Sequence, residues 1–220
     1  MTGSSIDGAL YTDVTDFARD THWLNAPMNA YTTVGVFALA ALLAVAWWNA
    51  RGASTAAMGR LAAGGVGIVA AVAVNMGLKS AFTELRPCRS IAHSFTVVAC
   101  PGPTDYSFPS NHSTIAAAIA AALFLVNKRL GIVAAVLALI EGFSRVYIGV
   151  HYPHDVAAGL IVGAGVTVAV AFAVRPLVTS LVGRLVLTGL RPLLAAGAVP
   201  VAGASIPVED TGKAPAVART

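Results

Sequence analysis

Three short motifs in this chain combine cations, histidines and a carboxylate at regular spacings. In chain order they are K-x6-R-P from Lys79 to Pro87, P-S-x-H from Pro109 to His112, and S-R-x5-H-x3-D from Ser144 to Asp155. Each motif lies at the end of an apolar segment. Ionisable groups at membrane depth cost several kcal/mol and indicate function by default, so these motifs form the candidate functional site.

The cations in the motifs suit an anionic group such as a phosphate. Lys79, Arg86 and Arg145 would neutralise its charge, and arginine is well suited because its guanidinium makes bidentate contacts. Free N–H groups at a helix start near Ser110 and Asn111 would donate hydrogen bonds to its oxygens. Because the motifs lie at the same end of different helices, these groups can converge on one ligand.

The histidines add the groups that phosphoryl transfer requires. Of His112 and His151, one can attack phosphorus and the other can protonate the leaving oxygen. Asp155 can orient one of these rings by accepting the hydrogen of its Nδ1, as the carboxylate does in a Ser-His-Asp triad.

Several of these residues also have a purely structural interpretation. Lys79 and Arg145 could be interfacial anchors whose charged ends reach the lipid headgroups. Glu141 precedes Arg145 by four residues, so a helical ion pair competes for that charge, and we expect Glu141 to neutralise or position Arg145. His154 is predicted to be a loop residue, and Arg89 either extends the phosphate site or faces water.

The composition indicates which elements position these residues. Of 220 residues, 57% are hydrophobic and only 11% are charged, whereas a soluble domain carries roughly 25% charged residues. So few charges cannot cover a soluble surface, and an all-α, polytopic membrane helix bundle is predicted. Disorder, collagen and a disulfide-dense secreted module are excluded. The net charge of +4 is scattered without a basic stripe, so no nucleic-acid partner is expected.

Charge-poor windows predict five to six transmembrane helices in a single domain over residues 1–202. The five clear windows cover about 31–48, 61–78, 110–126, 130–150 and 156–174. A sixth candidate, 177–201, is apolar but interrupted by Arg184, Arg191 and Pro192. Residues 203–220 lack periodicity and are predicted to be a disordered tail.

Residues 1–25 precede the first window. Ile6, Leu10, Val14 and Phe17 recur at helical spacing among acidic residues. This pattern predicts a short amphipathic helix that lies along the membrane or packs on the bundle. No basic region leads into an apolar run, so we do not expect a signal peptide.

The basic residues predict the orientation of the bundle. They fall in the loops after the first, third and fifth windows, at Arg51, Arg60, Lys128, Arg129 and Arg175. The positive-inside rule makes that side cytoplasmic. The three motifs then face outward from a cytoplasmic membrane.

Cys88 and Cys100 share the long outer loop. Thiols outside the cytoplasm oxidise readily, and a 12-residue separation is easily closed. A disulfide is therefore predicted, with two unpaired thiols as the alternative.

With all three motifs in order on one membrane face, the chain resembles the type 2 phosphatidic acid phosphatase (PAP2) superfamily. These membrane lipid phosphatases share their site with vanadium haloperoxidases. The motifs span residues 79–155, and the helical frame extends the resemblance over most of the chain. The resemblance implies that His151 is the nucleophile that forms a phosphohistidine, that Asp155 holds its ring, and that His112 is the general acid.

The resemblance also implies a set of phosphate-binding residues, namely Lys79, Arg86, Ser110, Asn111 and Arg145. Such enzymes use no metal and no other cofactor, and three fixed cations can stabilise the transition state without one. One position departs from the family pattern, because the commonest motif has glycine in place of Asn111. Asparagine also tolerates tight backbone geometry, so we interpret this as a subgroup feature.

The run from Gly142 to Pro153 is most similar to the bacterial undecaprenyl-diphosphatase branch of the superfamily. This similarity implies hydrolysis of a polyprenyl diphosphate to the monophosphate at the outer face, among membrane lipids. The alternatives are a phosphatase for phosphatidic acid, phosphatidylglycerol phosphate or a decaprenyl-phosphate sugar, and a lipid phosphotransferase. A transporter would show two related halves with interrupted helices, and no internal repeat is present.

Overall fold

The structure, a computed structural model, describes residues 3–196 and contains eight helices in that range. They are α1 (Ser4–Asp20), α2 (His22–Ala53), α3 (Thr55–Phe82), α4 (Pro87–Ser90), α5 (Asn111–Phe124), α6 (Lys128–Tyr147), α7 (Pro153–Leu185) and α8 (Arg191–Leu194). No strand occurs among the described residues. The all-α prediction is confirmed.

Four helices, α2, α3, α6 and α7, are long and apolar enough to cross a bilayer. The prediction of a polytopic membrane bundle is therefore confirmed. Helix α5 has 14 residues and is only about 21 Å long at 1.5 Å per residue. It still carries the chain from the end of the bundle where α3 ends to the end where α6 begins. Every residue from Ala116 to Leu123 is buried, so its neighbours enclose it.

The long helices extend beyond the predicted windows. Helix α2 begins at His22 rather than at residue 31, and α7 ends at Leu185 rather than at residue 174. A hydropathy window identifies only the apolar part of a helix. The predicted windows are shorter than the helices because the backbone hydrogen bonds continue through the polar turns at each end.

A separate sixth span over 177–201 is absent from the part of the chain that the structure describes. Helix α7 continues through Pro176 to Leu185, and the four-residue α8 is the only helix from there to residue 196. A proline removes one backbone hydrogen bond and kinks a helix without always ending it, so residues 177–185 lengthen the fifth span. The predicted tail, 203–220, lies outside the described residues.

The starts of α5 and α7 pack closely because α7 presents glycines there. A Cβ at Gly159 would lie 2.6 Å from the Ser110 carbonyl oxygen, and one at Gly163 would lie 2.2 Å from that of Thr114. The four-residue spacing places both glycines on one helix face, a small-xxx-small contact typical of membrane helices. The Ser110 N–H also donates to the Asp155 carbonyl oxygen at 3.0 Å. This contact therefore holds two of the motifs together.

We expect Gly163→Ala to destabilise the protein by about 1–3 kcal/mol, the usual cost of overpacking. The added methyl group would meet backbone, which cannot rotate away. Thermal unfolding in detergent measures the effect. Gly165→Ala is the matched control on the same helix, because a Cβ there meets nothing within 4 Å. Equal unfolding midpoints for the two variants would contradict the packing described.

The predicted amphipathic helix is confirmed as α1. It packs on the bundle through Gly8, Tyr11, Thr15 and Ala18, which are buried. The Tyr11 hydroxyl donates to the Gly149 carbonyl oxygen at 3.0 Å, within the third motif. Much of the apolar stripe points away from the bundle, with exposed fractions of 67% for Ile6, 53% for Leu10 and 50% for Phe17.

Candidate active site

The three motifs converge at one end of the bundle. Lys79 lies in the last turn of α3, Arg86 precedes α4, His112 lies in the first turn of α5 and Arg145 lies in the last turn of α6. His151 ends the loop before α7, and Asp155 lies in the first turn of α7. The residues come from four long elements and two loops, so only the folded bundle brings them together.

His151 is enclosed between a cation and a carboxylate, with only 1% of its surface exposed. Its Nδ1 lies 3.2 Å from Oδ2 of Asp155, and its Nε2 lies 3.1 Å from Nη1 of Arg86. A guanidinium has donors only, so Nε2 accepts from Arg86. The ring hydrogen is therefore on Nδ1, which donates it to Asp155. In this tautomer the Nε2 lone pair faces the cations, as attack on a bound phosphate requires.

Burial lowers the pKa of His151 well below its usual value. The positive charges of Arg86, Arg145 and Lys79 lower this pKa further. The imidazole is consequently neutral at neutral pH. A nucleophile needs this state, because a protonated Nε2 has no lone pair to donate.

Asp155 is buried and fixed by the start of its own helix. Its Oδ2 accepts from the Tyr152 N–H at 2.8 Å, which is half of a capping box. The same oxygen accepts from the Ser107 hydroxyl, and that hydroxyl lies 3.5 Å from Nδ1 of His151. The residue that orients the histidine therefore also caps α7, so the orientation follows from local helix geometry.

Arg86 is held in place by several hydrogen bonds. Its Nη1 donates to the Val150 carbonyl oxygen at 2.8 Å, and its Nε donates to the Asp105 carbonyl oxygen at 2.7 Å. Arg86 has an extended backbone, as steric contact with a following proline favours. Pro87 then starts α4 at the position where a proline is tolerated. The R-P pair therefore sets the direction in which the guanidinium enters the site.

Asp105, which we did not predict from the sequence, lies among the cations. Its Oδ1 is 2.9 Å from Nη2 of Arg86 and 3.9 Å from Nζ of Lys79, and half of its side chain is exposed. Burial raises the pKa of Asp105, but the hydrogen bond and charge of Arg86, together with Lys79, lower that pKa below its usual value overall. The ionised carboxylate thus neutralises the cations that a phosphate would bind.

We expect Asp105→Asn to strengthen the binding of inorganic phosphate about fivefold, which corresponds to roughly 1 kcal/mol at a half-exposed carboxylate. Removing the carboxylate removes an anion that competes for Arg86 and Lys79. Calorimetric titration of the purified protein with phosphate measures the dissociation constant. Asp13→Asn, at an exposed carboxylate of α1, is the control. Weaker phosphate binding by the Asp105 variant would contradict this interpretation.

Lys79 points into the site rather than along the helix axis. Its Nζ donates to the Tyr106 carbonyl oxygen, in the same loop as Asp105. His112 lies in the first turn of α5, where the charges of Arg145, Arg86 and Lys79 act on it. Lys79 and His112 therefore lie at the same end of the bundle as Arg86 and Arg145.

Arg145 is positioned through a threonine. Its Nη1 donates to Oγ1 of Thr32 at 2.6 Å, and that hydroxyl lies 3.4 Å from Oε1 of Glu141. Glu141 is fully buried and makes no direct ion pair with Arg145 among the described residues. The predicted helical pair is thus replaced by a contact through Thr32 of α2.

Ser110 and Asn111 are placed differently from the other predicted phosphate ligands. The Ser110 hydroxyl is buried and caps α5 by accepting from the Ser113 N–H at 3.5 Å. Oδ1 of Asn111 accepts from Nδ2 of Asn75 at 2.6 Å. Both side chains therefore already have hydrogen-bond partners within the protein. A helix leaves its first backbone N–H groups unpaired, so those of Asn111 and His112 are the groups at this helix start suited to an anion.

Asn75 was not identified from the sequence, although a signal for it exists. It is a polar side chain within the apolar window 61–78, and polar groups at membrane depth indicate function. Besides Asn111, it contacts Thr114, whose hydroxyl donates to its Oδ1 at 2.8 Å. The hydrogen bonds of Asn75 to these two residues therefore connect α3 to the start of α5.

The structure joins Cys88 and Cys100 in a disulfide, with their Cα atoms 6.0 Å apart. The bond links α4, which follows Arg86, to the segment that leads to Asp105. We expect Cys88→Ser to lower the free energy of unfolding by roughly 3 kcal/mol, the value for a closed loop of about 15 residues. Thermal unfolding measures this loss, and reduction of the wild type should reproduce it. An unchanged midpoint after complete reduction would contradict the expectation.

Glu84, His154 and Asp155 offer ligand atoms within 4.8 Å of one another, as a metal site would. Nε2 of His154 is, however, 3.0 Å from Oε1 of Glu84, and its Nδ1 is 2.8 Å from Oδ1 of Asp7. Sequence reasoning predicted His154 to be a loop residue, but it lies in the first turn of α7. Nothing in the local sequence indicated its partners, because all but Asp155 are distant in the chain.

Comparison with known proteins identifies the family of the chain and several relatives. The model of the PAP2 superfamily matches residues 60–178. The chain is 36% identical over 98 residues to undecaprenyl-diphosphatase BcrC of Bacillus subtilis, covering 44% of this chain and 49% of that protein. It is 35% identical over 103 residues to decaprenylphosphoryl-5-phosphoribose phosphatase of Mycobacterium tuberculosis, covering 46% and 54%. The chain thus spans about half the length of these relatives.

A solved structure has the same fold. Aquifex aeolicus LpxE superposes with a TM-score of 0.62 at 20% identity, over 76% of this chain and 95% of that chain. The segment matched by the family model exceeds half of the 220 residues and contains all three motifs. The chain therefore belongs to the PAP2 superfamily.

Proposed function

We propose that the protein is an integral-membrane lipid phosphatase that hydrolyses a polyprenyl diphosphate to the monophosphate through a phosphohistidine. One observation carries this proposal. The neutral, buried His151 has its Nδ1 toward Asp155 and its Nε2 toward Arg86, within the group of cations at one end of an apolar bundle. This is the arrangement that in-line attack on an anionic phosphoryl group requires.

The reaction has two steps. Nε2 of His151 forms a bond to the terminal phosphorus while the bond to the bridging oxygen breaks. His112 gives that oxygen a proton, and Asp155 stabilises the charge that develops on the imidazole. A water molecule then attacks phosphorus and gives a proton to His112 while the bond between phosphorus and Nε2 of His151 breaks. Inorganic phosphate leaves, and the imidazole recovers its lone pair. Lys79, Arg86 and Arg145 neutralise the phosphoryl oxygens in both steps.

The reaction needs no metal ion under this proposal. Three cations already surround the position of the phosphoryl group, and fixed charges of this kind stabilise developing negative charge in a water-poor site. The expected test result is phosphate release that persists in EDTA. Loss of activity on chelation, with recovery on adding Mg²⁺ or Zn²⁺, would overturn this part of the proposal.

The substrate assignment rests on similarity to the named relatives. The Bacillus relative is named an undecaprenyl-diphosphatase, and the two chains are 36% identical over 98 residues. A phosphatase for another polyprenyl-linked phosphate is the second candidate, because the Mycobacterium relative is named a decaprenylphosphoryl-5-phosphoribose phosphatase. Phosphate release from detergent-solubilised protein, compared across polyprenyl diphosphate, phosphatidic acid and phosphatidylglycerol phosphate, discriminates them. A higher kcat/KM for either glycerolipid would reject the polyprenyl assignment.

A lipid phosphotransferase would use the same phosphohistidine. In that reaction an alcohol acceptor, rather than water, attacks the intermediate. Adding a short-chain alcohol to the assay measures the partition between the two acceptors. Product that is mainly free phosphate supports the hydrolase, whereas product that is mainly the alkyl phosphate at low alcohol concentration supports the transferase.

We also propose that the site faces outward from the cytoplasmic membrane. The basic residues Arg51, Arg60, Lys128 and Arg129 lie at the ends of α2, α3 and α6 that are opposite the site, and positive loops remain cytoplasmic. Thr104→Cys, in a background without Cys88 and Cys100, should react with an impermeant maleimide added to intact cells. Lys128→Cys should react only after lysis, and the reverse pattern would overturn the orientation.

A further inference from the structure

A second charged cluster lies directly behind the proposed catalytic pair. His154 follows the nucleophile by three residues and lies in the first turn of α7. Its Nδ1 is 2.8 Å from Oδ1 of Asp7, and its Nε2 is 3.0 Å from Oε1 of Glu84. Its backbone N–H also donates to Oδ2 of Asp7 at 2.6 Å. The cluster joins α1, the loop after α3 and the start of α7.

The geometry indicates that His154 carries a positive charge. An ionised carboxylate only accepts hydrogen bonds, so a ring with a carboxylate at each nitrogen must donate from both. Such a ring is an imidazolium. It stacks on the rings of Tyr152 and Phe108, whose centroids are 5.3 Å and 5.9 Å away. Aromatic faces favour a cation placed against them.

This charge lies beside the carboxylate that orients His151. Oδ2 of Asp155 is occupied by His151, Ser107 and the Tyr152 N–H. Oδ1 of Asp155 is buried and accepts no hydrogen bond from the described residues. It lies 3.5 Å from Nε2 of His154, so the imidazolium compensates the charge on the oxygen that faces away from the nucleophile.

The N-terminal helix covers this cluster. A Cβ at Gly3 would lie 2.5 Å from Cε1 of His154 and 2.7 Å from Oε1 of Glu84. The backbone at position 3 can therefore come this close to the cluster only because glycine has no side chain. At Asp7 the backbone leaves helical geometry, with φ −146° and ψ 28°. This local irregularity turns the Asp7 carboxylate toward α7 while Tyr11 continues the packing of α1 on the bundle.

We propose that His154, held by Asp7 and Glu84, is a positioning residue that keeps the Asp155 carboxylate ionised and turned toward His151. Helix α1 is then part of the working site through Asp7. This inference rests on the proposed function, because it assigns the cluster a role in activating the same nucleophile. Among the described residues, the polar partners of His154 are Asp7, Glu84 and Asp155, and no hydrogen bond or ion pair joins it to His151.

The test compares kcat and KM for phosphate release by the wild type, His154→Gln and Asp7→Asn. A glutamine keeps a polar side chain but carries no charge. We expect kcat to fall about ten- to hundredfold, as small misplacement of a catalytic group does. KM and the affinity for inorganic phosphate should stay within about twofold, because Lys79 and Arg86 are untouched. Asp13→Asn, on the same helix and exposed, should behave as the wild type.

A double variant separates positioning from simple loss of packing. If Asp7 acts through His154, adding Asp7→Asn to His154→Gln should lower kcat by less than twofold further, whereas independent effects would multiply. Unchanged kcat in both single variants, or fully multiplicative effects, would overturn the proposal. So would stoichiometric metal in the purified wild type that is lost in His154→Gln, because the imidazole would then be a metal ligand.

Measuring His151→Ala in the same series shows whether a negative result rejects the proposed function or only the positioning role of His154. If His151→Ala remains active, the proposed function is wrong. If His151→Ala is inactive while His154→Gln keeps the wild-type kcat, the proposed function stands and only the positioning role is rejected.

Discussion

Replacement of His151 with alanine is expected to abolish phosphate release, with a loss of kcat of at least about 10⁴-fold, as for removal of a nucleophile or its base in a hydrolytic triad. The expectation follows from the geometry of the ring. Its Nε2 has its lone pair toward the cations, and its Nδ1 hydrogen is donated to Asp155. No other imidazole among the described residues is held in this way. Phosphate release in detergent, with polyprenyl diphosphate as substrate, measures the effect.

The matched control for this variant is His22→Ala, at an exposed histidine where α2 begins. The control should keep the wild-type kcat. Binding of inorganic phosphate by His151→Ala should remain measurable, because Lys79 and Arg86 still provide charge. Activity of His151→Ala within tenfold of the wild type would show that another group attacks phosphorus.

Asp155→Asn is expected to lower kcat by about 10³- to 10⁴-fold, because an amide in place of the orienting carboxylate favours the wrong imidazole tautomer. Oδ2 of Asp155 accepts from His151, from Ser107 and from the Tyr152 N–H. Oδ1 of Asp155 lies 3.5 Å from Nε2 of His154, so an NH₂ group at that position would face another N–H donor. We therefore expect the amide to turn its NH₂ group toward Nδ1 of His151. A ring that accepts at Nδ1 carries its hydrogen on Nε2 and cannot attack.

The same assay checks this second prediction, together with a thermal unfolding curve to establish that the cap of α7 survives. Ser107→Ala is a milder variant for comparison with Asp155→Asn, because it removes one hydrogen-bond donor to Asp155 and leaves the carboxylate in place. We expect it to lower kcat by about tenfold, far less than Asp155→Asn. A larger loss for Ser107→Ala than for Asp155→Asn would assign the orienting role to the serine.

The parts of the site that the sequence predicted are those with local spacing. His151 and Asp155 are four residues apart across a helix start, so one turn of α7 is enough to bring them together. Lys79 and Arg86 flank the end of an apolar window, and the family motif names them both. The apolar windows also predicted the helices themselves, because a bilayer crossing requires a long apolar run.

The parts that the sequence did not predict depend on contacts between distant segments. Asp105 enters the site from an irregular loop, and Asp7 reaches His154 across 147 positions of the chain. No periodicity encodes such pairs. The end of α7 was missed because the charge-poor window stops before Arg175, whereas the helix continues to Leu185. Thr32 contacts Arg145 only because α2 lies beside α6.

We expect the cations of the site to have an anionic partner in two states, Asp105 without substrate and a phosphate with it. In the structure its carboxylate lies on Arg86, 2.9 Å from Nη2. A phosphorylated substrate brings more negative charge to the same cations and would displace it. The exposed half of the side chain gives it room to move toward solvent. The cation cluster therefore stays compensated in both states, which limits the cost of keeping it partly buried.

The most direct test of the phosphohistidine mechanism is to trap the covalent intermediate. Protein mixed with substrate labelled in the terminal phosphate is quenched within milliseconds in alkali, which preserves phosphohistidine, and the label on the protein is counted. The phosphohistidine mechanism predicts up to one label per chain, located by mass spectrometry on His151, lost on acid treatment and absent from His151→Ala. Label on another residue, or turnover by the wild type with no label on His151 at any quench time, would contradict it.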